Sequence, residues 1–184
     1  LIARALTLVP PDSPEAGRLL SRYGNVLGVE DGDYQGAQEA FSRALAIAQR
    51  VQDAGLELRT LAEAARVDRF QAHPQESLSK SLRAMDLARQ VDDLHSEVVA
   101  RNEASFALMV LVNPVGARQQ AAEMLALAER LRNHFWLDAA LYVLTDLSYL
   151  QGDWQAAREF SDRGLTVSAT DSRVLGRRAL LEYQ

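Results

Sequence analysis

Three arginines stand at positions whose spacing places them on one side of a helix. Arg59, Arg66 and Arg69 are separated by seven and then three residues, close to whole turns of a helix with about 3.6 residues per turn. A guanidinium group is planar and always charged, so such a row suits a carboxylate or phosphate carried by a partner. The alternative is a solvated helix face, in which the same arginines pair with Glu63 and Asp68.

The sequence predicts no catalytic centre, no metal site and no cofactor. His73, His95 and His134 stand apart, and His95 and Glu97 lack the i, i+4 spacing that metal ligands on a helix need. There is no Gly-rich phosphate loop, no nucleophile elbow and no paired-carboxylate motif. The chain has no cysteine, which excludes a thiolate metal site. We therefore expect a protein that is not an enzyme.

The elements that must position the arginines follow a 40-residue period. Gly32-Asp33-Tyr34 recurs as Gly152-Asp153-Trp154, an offset of 120 residues or three periods, and Pro74 and Pro114 occupy the two phases between. Aspartate and asparagine are favoured helix N-caps, and proline suits the first helical position. Four helices are thus expected to start at the same position of the 40-residue period. Their cap positions are Asp33, His73, Asn113 and Asp153.

Other columns of the repeat describe the face that these helices bury. Offsets of +3, +7, +10, +11 and +14 from the first helical position trace one side of a helix. The +3 column is small throughout: Ala37, Ser77, Ala117 and Ala157. The +11 column is apolar throughout: Leu45, Met85, Leu125 and Leu165. A further column marks where the next helix should begin: Asp53, Asp93, Asn133 and Arg173, of which the first three can cap.

These columns predict an all-α chain of helical hairpins. Short connections force consecutive helices to be antiparallel neighbours. The predicted pairs are 14–30 with 33–52, 54–71 with 74–91, 94–111 with 114–131, and 134–150 with 153–169. Residues 1–8 are interpreted as the end of an earlier helix, and residues 172–184 as a last helix without its partner.

Composition limits the classes of partner. The net charge of the 184 residues is −5 with both signs interspersed, which argues against direct nucleic-acid binding. No stretch of eighteen apolar residues occurs, so neither a membrane span nor a membrane partner is expected. No signal peptide is visible, and with the lack of cysteine this favours the cytoplasm. We expect one repeat domain over residues 1–184, excised from a larger protein because the chain begins inside a predicted helix.

The motif Gly32-Asp33-Tyr34, followed by Ala37, Phe41 and Ala44, resembles the second half of a tetratricopeptide repeat. The 40-residue period is longer than the usual length of about 34. This long form is similar to the sensor regions of LuxR-type ATP-dependent transcriptional regulators, and also to kinesin-light-chain repeats. The resemblance implies a right-handed α-solenoid of antiparallel hairpins, with about four full repeats plus terminal half-repeats.

The chain also departs from the family pattern. Ser81, Ala121 and Ser161 replace the large residue of the Phe41 column, and Phe160 falls one place early. The early Phe160 predicts that the second helix of the fourth hairpin, 153–169, is rotated or slipped. Tyr23-Gly24-Asn25 fits the first-helix motif only if one residue is inserted before Gly32.

The resemblance implies that the first helix of each hairpin lines a concave groove. The positions carried over are Leu19, Arg22, Val26 and Val29; Arg59, Ala62, Arg66 and Arg69; Val99, Asn102, Phe106 and Met109; and Ala139, Tyr142, Asp146 and Tyr149. The candidate binding residues are Arg59, Arg66, Arg69, Asn102, Phe106, Tyr142, Asp146 and Tyr149.

Packing is the competing interpretation for the apolar residues among these positions. Phe106 and Met109 are equally compatible with the core. Leu108, Val110 and Leu111 are expected to pack, and so are Tyr34 and Trp154, which open the second helices of their hairpins.

Three hypotheses about function remain open at this point. The first is an interaction scaffold in a larger, cytoplasmic and possibly transcriptional regulator, whose groove binds a protein or peptide segment of a partner or of its own parent chain. The second is a sensor in which the same groove holds a small effector molecule. The third is self-association through the uncapped ends, because missing caps leave apolar surface.

Overall fold

The computed structural model describes residues 1–168, 175–176 and 178–179. In that part of the chain the structure is entirely helical, with no strand. The helices are α1 (Ile2–Leu6), α2 (Pro14–Val29), α3 (Tyr34–Val51), α4 (Ala54–Phe70), α5 (Pro74–Gln90), α6 (Leu94–Val110), α7 (Pro114–Leu131), α8 (His134–Leu150) and α9 (Trp154–Val167). The predicted hairpins are confirmed to within two residues at each end. The helix start expected at Arg173 and most of the last predicted helix lie outside the described residues.

Every turn between two long helices is built in the same way, and the turns recur every 20 residues. One residue adopts a left-handed backbone conformation, which lets the chain leave the helix. In every one of these turns except that at His73, the side chain of the next residue caps the following helix, as when the Asp53 side chain accepts from the Leu56 N–H at 2.9 Å. The left-handed residues are Gly32, Gln52, Ala72, Asp92, Val112, Arg132 and Gly152.

The same cap residue also closes the preceding helix. The Asp93 N–H, for example, donates to the carbonyl of Ala88, five residues back, at 2.9 Å. One residue therefore satisfies terminal groups of two helices. His73 makes no side-chain cap bond, and Pro74 follows it directly. In the first turn the Asp33 N–H reaches six residues back, to Leu27, which confirms the predicted one-residue insertion.

The equivalence of the repeats is confirmed by burial. Ala37, Ser77, Ala117 and Ala157 are all fully buried. The small residues of the Phe41 column are buried as well, and Ser161 holds its place in α9. The predicted rotation of α9 is therefore wrong: Phe160 is half-buried and packs beside the core while the helix keeps its register.

One other packing prediction is wrong. Val110 is 64% exposed because it is the last residue of α6, where the side chain projects beyond the packed layer, although Leu108 is buried as predicted. Trp154 is 37% exposed, yet it packs on the last turn of α8 as predicted, with its ring edge-on to Tyr149 at 5.2 Å between centroids. Tyr34 is half-buried.

The stacking of the hairpins produces an inner and an outer row of helices. The inner helices α2, α4, α6 and α8 each pack closely against the next inner helix. The backbones of successive outer helices lie farther apart within the described residues, and long side chains join them, as when Arg163 of α9 donates to Glu129 of α7 at 3.0 Å. A stack that is closer on one side curves toward that side, so the inner helices line the concave surface. Their packing is tightest between α2 and α4 and loosest between α6 and α8. Among the described residues no helix is both long enough and apolar enough to cross a bilayer.

Candidate functional site: a groove along the inner helices

Two adjoining cavities, each of about 540 Å³, lie along the concave surface. The first lies between α2, α4 and α6, and the second lies one helix further, between α4, α6 and α8. Both are lined by Ala62, Glu63 and Val99, so they form one continuous depression. We call this depression the inner groove.

The first cavity is cationic. Arg18, Arg22 and Arg59 line it together with His95, against the single carboxylate of Glu63. Arg18 is engaged, at 3.4 Å from Glu15 and 3.6 Å from Asp53. Arg22 and Arg59 are exposed and make no hydrogen bond or ion pair with any other described residue. Two guanidinium groups are thus available to a ligand.

The second cavity has an aromatic wall formed by α6 and α8. Its aromatic lining residues are Phe106, Phe135, Trp136 and Tyr142. The Phe135 and Trp136 rings meet edge to face at 4.7 Å between centroids, and Phe135 is 61% exposed. An exposed phenyl ring at the mouth of a cavity offers apolar contact area to a partner.

The two arginines of the second cavity differ in how far they are engaged. The Arg69 Nε donates to Glu103 at 2.5 Å, and its guanidinium lies 4.3 Å from the centroid of Phe70 and 4.9 Å from that of Phe106. Arg69 therefore neutralises the buried Glu103 and fixes the floor of the cavity. Arg66 is exposed, contacts only the Phe70 ring at 5.8 Å, and has no ion pair among the described residues.

Glu63 marks the junction of the two cavities. The Asn25 side-chain amide donates a hydrogen bond to its carboxylate. Burial raises the pKa of Glu63 above the ordinary carboxyl range, although the nearby charges of Arg66 and Arg22 act in the opposite direction. The carboxylate is close enough to attract both arginines but leaves their donors free.

The alternative in which the arginine row is neutralised by its own helix is only partly correct. Glu63 does lie near Arg66, but Asp68 does not face the arginines. Asp68 is fully buried and pairs with Lys80 at 2.6 Å on the opposite side of α4. The exposed arginines are consequently not satisfied by the carboxylates that the sequence offered for them.

Six of the eight candidate residues line the inner groove. Arg59 lies in the first cavity, and Arg66, Arg69, Asn102, Phe106 and Tyr142 lie in the second. Asp146 is buried further along α8, and Tyr149 lies against Trp154; neither lines a cavity. Phe106 is half-buried and also contacts the core, so both interpretations apply to it. A binding role for these residues remains a prediction.

Sequence reasoning missed His95 and Phe135 as groove residues. Each stands four residues before a position that was identified, Val99 and Ala139 respectively, and so lies on the same helix face. Extending the face by one turn would have found both. Glu63 and Glu103 occupy equivalent positions of the 40-residue repeat. Glu103 was missed because the helix face assigned to the groove included Asn102 but not the residue directly after it.

Among the described residues no three His, Asp or Glu side chains are grouped closely enough to hold a metal ion. The inner groove is accordingly described by its guanidinium, carboxylate and aromatic groups alone.

Comparison with known proteins supports the architecture. No protein-family model matches the chain, and no curated protein matches it. A solved structure, that of a Signal Transduction ATPase with Numerous Domains (STAND) protein with a tetratricopeptide repeat sensor from Pyrococcus horikoshii, superposes with a TM-score of 0.79 over 97% of this chain, at 15% sequence identity. The chain has a tetratricopeptide-like solenoid fold. It spans 27% of the length of that protein, so the likeness concerns the solenoid and no other part.

Proposed function

We propose that this solenoid is a protein-interaction module of a larger regulatory protein, and that its inner groove binds an extended segment of a partner. The observation that carries the proposal is the set of exposed arginines Arg22, Arg59 and Arg66, which have no ion pair with any residue that the structure describes, although the chain has a net charge of −5. Solvent-facing cations beside aromatic rings are typical of residues that carry binding energy at interfaces.

The similarity to a STAND protein supports a regulatory role. The solenoid of that protein is described as a sensor, and this chain reproduces the fold over nearly its whole length. We propose that the present solenoid likewise reports the presence of a partner to attached domains, and that it does so in the cytoplasm. A transcriptional output is one such readout.

The test is a selection of binders from a random peptide library, followed by affinity measurements with two matched variants. Arg59→Glu combined with Arg66→Glu reverses two groove charges, and Arg43→Glu combined with Arg130→Glu reverses two exposed charges on outer helices. Both variants change the net charge equally. We expect the groove variant to bind selected peptides at least about tenfold more weakly and the outer variant to bind normally. Equal affinities in the two variants contradict the proposal.

Arg69 also lines the groove, but it is not a suitable position for a charge reversal. Arg69→Glu is unsuitable because Arg69 neutralises Glu103, which is nearly inaccessible to solvent. Removing the cation would leave a buried carboxylate unpaired and destabilise the protein, so that lost binding would not be informative. Neither Arg59 nor Arg66 forms an ion pair with a buried carboxylate among the described residues.

A small-molecule sensor is the second candidate function. The volume of the second cavity, about 540 Å³, lies within the range of ligand pockets, and its aromatic lining suits a compact apolar ligand. A ligand that binds only the folded state raises the melting temperature. A thermal-shift screen of small metabolites supports this function if a hit loses its effect in Phe135→Ser but retains it in Val115→Ser, a matched exposed position on α7.

A further inference from the structure

The two cavities differ in chemistry although they belong to one groove. The lining of the first carries three arginines against one glutamate, whereas the second balances Arg66 and Arg69 against Glu63 and Glu103 and adds four aromatic rings. An anion is therefore favoured at the α2 end of the groove, and an apolar ring is favoured at the α8 end.

We propose that the inner groove recognises a bipartite peptide motif, an acidic residue and an aromatic residue separated by two others. This inference rests on the proposed function and specifies the partner. The acidic side chain binds Arg22 and Arg59 in the first cavity. The aromatic side chain enters the second cavity beside Phe135 and Trp136, where an exposed ring already offers its face.

The separation follows from the geometry of the stack. The second cavity is displaced from the first by one inner helix, from α2, α4 and α6 to α4, α6 and α8. Packed helices lie about 8–10 Å apart. An extended chain advances roughly 3.3 Å per residue, so the distance corresponds to about three residues. An acid and a ring at positions i and i+3 of an extended peptide thus reach both cavities at once.

Glu63 contributes to the discrimination because it lies between the two subsites. Its carboxylate repels an acidic residue placed in the middle of the motif and disfavours an acid in the second cavity, where Glu103 is also near. A run of consecutive acidic residues should therefore bind less well than a single acid followed by uncharged spacers.

The experiment uses fluorescein-labelled decapeptides of Gly and Ser that carry Asp-Gly-Gly-Trp, or the reverse order Trp-Gly-Gly-Asp, with fluorescence anisotropy on the whole 184-residue chain. We expect one of the two orders to bind, and binding to weaken about tenfold or more when Asp becomes Lys, when Trp becomes Ser, or when the separation becomes one or six residues. Replacing the Asp of the peptide should weaken binding less in the protein variant Arg22→Gln combined with Arg59→Gln than in the unaltered chain. Replacing the Trp of the peptide should likewise weaken binding less in the protein variant Phe135→Ser.

Matched variants outside the groove, Arg43→Gln combined with Arg130→Gln, and Val115→Ser, should behave as the unaltered chain. Equal affinity for all separations, or insensitivity to both the acid and the ring, overturns the inference. If library-selected peptides still bind through Arg59 and Arg66 in that case, the proposed interaction function stands without the motif. If nothing binds through those arginines, both fail.

Discussion

The Nζ of Lys80 lies 2.6 Å from the Oδ2 of Asp68, a carboxylate with no exposed surface. The other oxygen of Asp68 accepts from the Tyr34 hydroxyl and from the Gln38 amide, each at 3.0 Å. Four side chains from α3, α4 and α5 therefore meet at one buried charge. This cluster fixes the outer helix of the first repeat against both helices of the second.

Lys80→Met should destabilise the chain by about 3–5 kcal/mol, because it leaves the buried Asp68 charge without its cation. The matched control is Arg83→Met, which breaks a pair with Glu57 in which the arginine is largely exposed, and should cost no more than about 1 kcal/mol. Urea denaturation followed by circular dichroism measures both. Similar losses in the two variants would show that Asp68 does not depend on Lys80.

Tyr34 should make the stability fall at alkaline pH. Burial, together with the neighbouring Asp68 charge, raises the pKa of Tyr34 to about 12. A phenol whose pKa is raised on folding contributes stability that is complete below the unfolded pKa of about 10, and that is lost as the pH rises toward 12.

The variant Tyr34→Phe tests this relationship. At pH 7 it removes a hydrogen bond to a buried carboxylate, which should cost about 1–2 kcal/mol. Between pH 10 and 12 the difference from the unaltered chain should shrink, because only the unaltered chain loses the tyrosine contribution. A difference that stays constant across this range contradicts the assignment.

Glu63→Gln should leave the protein at least as stable as before at neutral pH. The pKa of Glu63 is raised, chiefly by burial, so the ionised carboxylate is disfavoured in the folded state and costs stability above its unfolded pKa. The advantage of the variant should disappear as the pH falls below the ordinary carboxyl range. Thermal melts from pH 3 to 8 measure it, and a variant that is less stable at pH 7 but not at pH 3 contradicts the sign.

Two glycines on inner helices should respond to alanine in opposite ways. A Cβ at Gly28 of α2 would overlap the Cγ1 of Val67 in α4, so Gly28→Ala should destabilise by about 1–3 kcal/mol. At Gly55 an added Cβ meets only ordinary contacts at 3.4 Å or more, so Gly55→Ala should be neutral or stabilise by up to about 1 kcal/mol. Chemical denaturation measures the change in the free energy of unfolding for both variants. A change of the same sign in both would mean that α2 and α4 are not closely packed at Gly28.

Val112→Gly should stabilise the chain. Val112 is a β-branched residue at a φ of 55°, a left-handed conformation that costs a residue of this kind about 1–2 kcal/mol, and its side chain is 85% exposed. Glycine removes that strain but increases the conformational entropy of the unfolded chain, so the free energy of unfolding should rise by about 1 kcal/mol or less. Differential scanning calorimetry should show a higher melting temperature; a lower one would mean that the Val112 side chain has a contact that holds the turn.

The sequence was sufficient for the repeat because caps and small residues are local signals. Asp53 and Asp93 cap the helices that they were expected to cap, since capping depends on a side chain and the three residues after it. Val110 was misplaced because periodicity gives the direction of a side chain around a helix but not whether the neighbouring helix extends far enough to cover it.

Charge pairing could not be predicted in the same way. The alternative interpretation paired Asp68 with an arginine of its own helix, yet Asp68 pairs with Lys80 of the next helix. Arg69 pairs with Glu103, 34 positions away, because inner helices of successive repeats lie side by side. Partners separated by nearly a full repeat can be assigned only once the stacking of the hairpins is known, and the free or engaged state of each groove arginine depends on it.

Binding of a partner along the inner helices can be located by titrating a library-selected peptide into the ¹⁵N-labelled chain and mapping the changes in amide chemical shift. The perturbed amides should lie on α2, α4, α6 and α8, around Arg59, Glu63 and Phe135. Shifts confined to the outer helices α3, α5, α7 and α9 would contradict it.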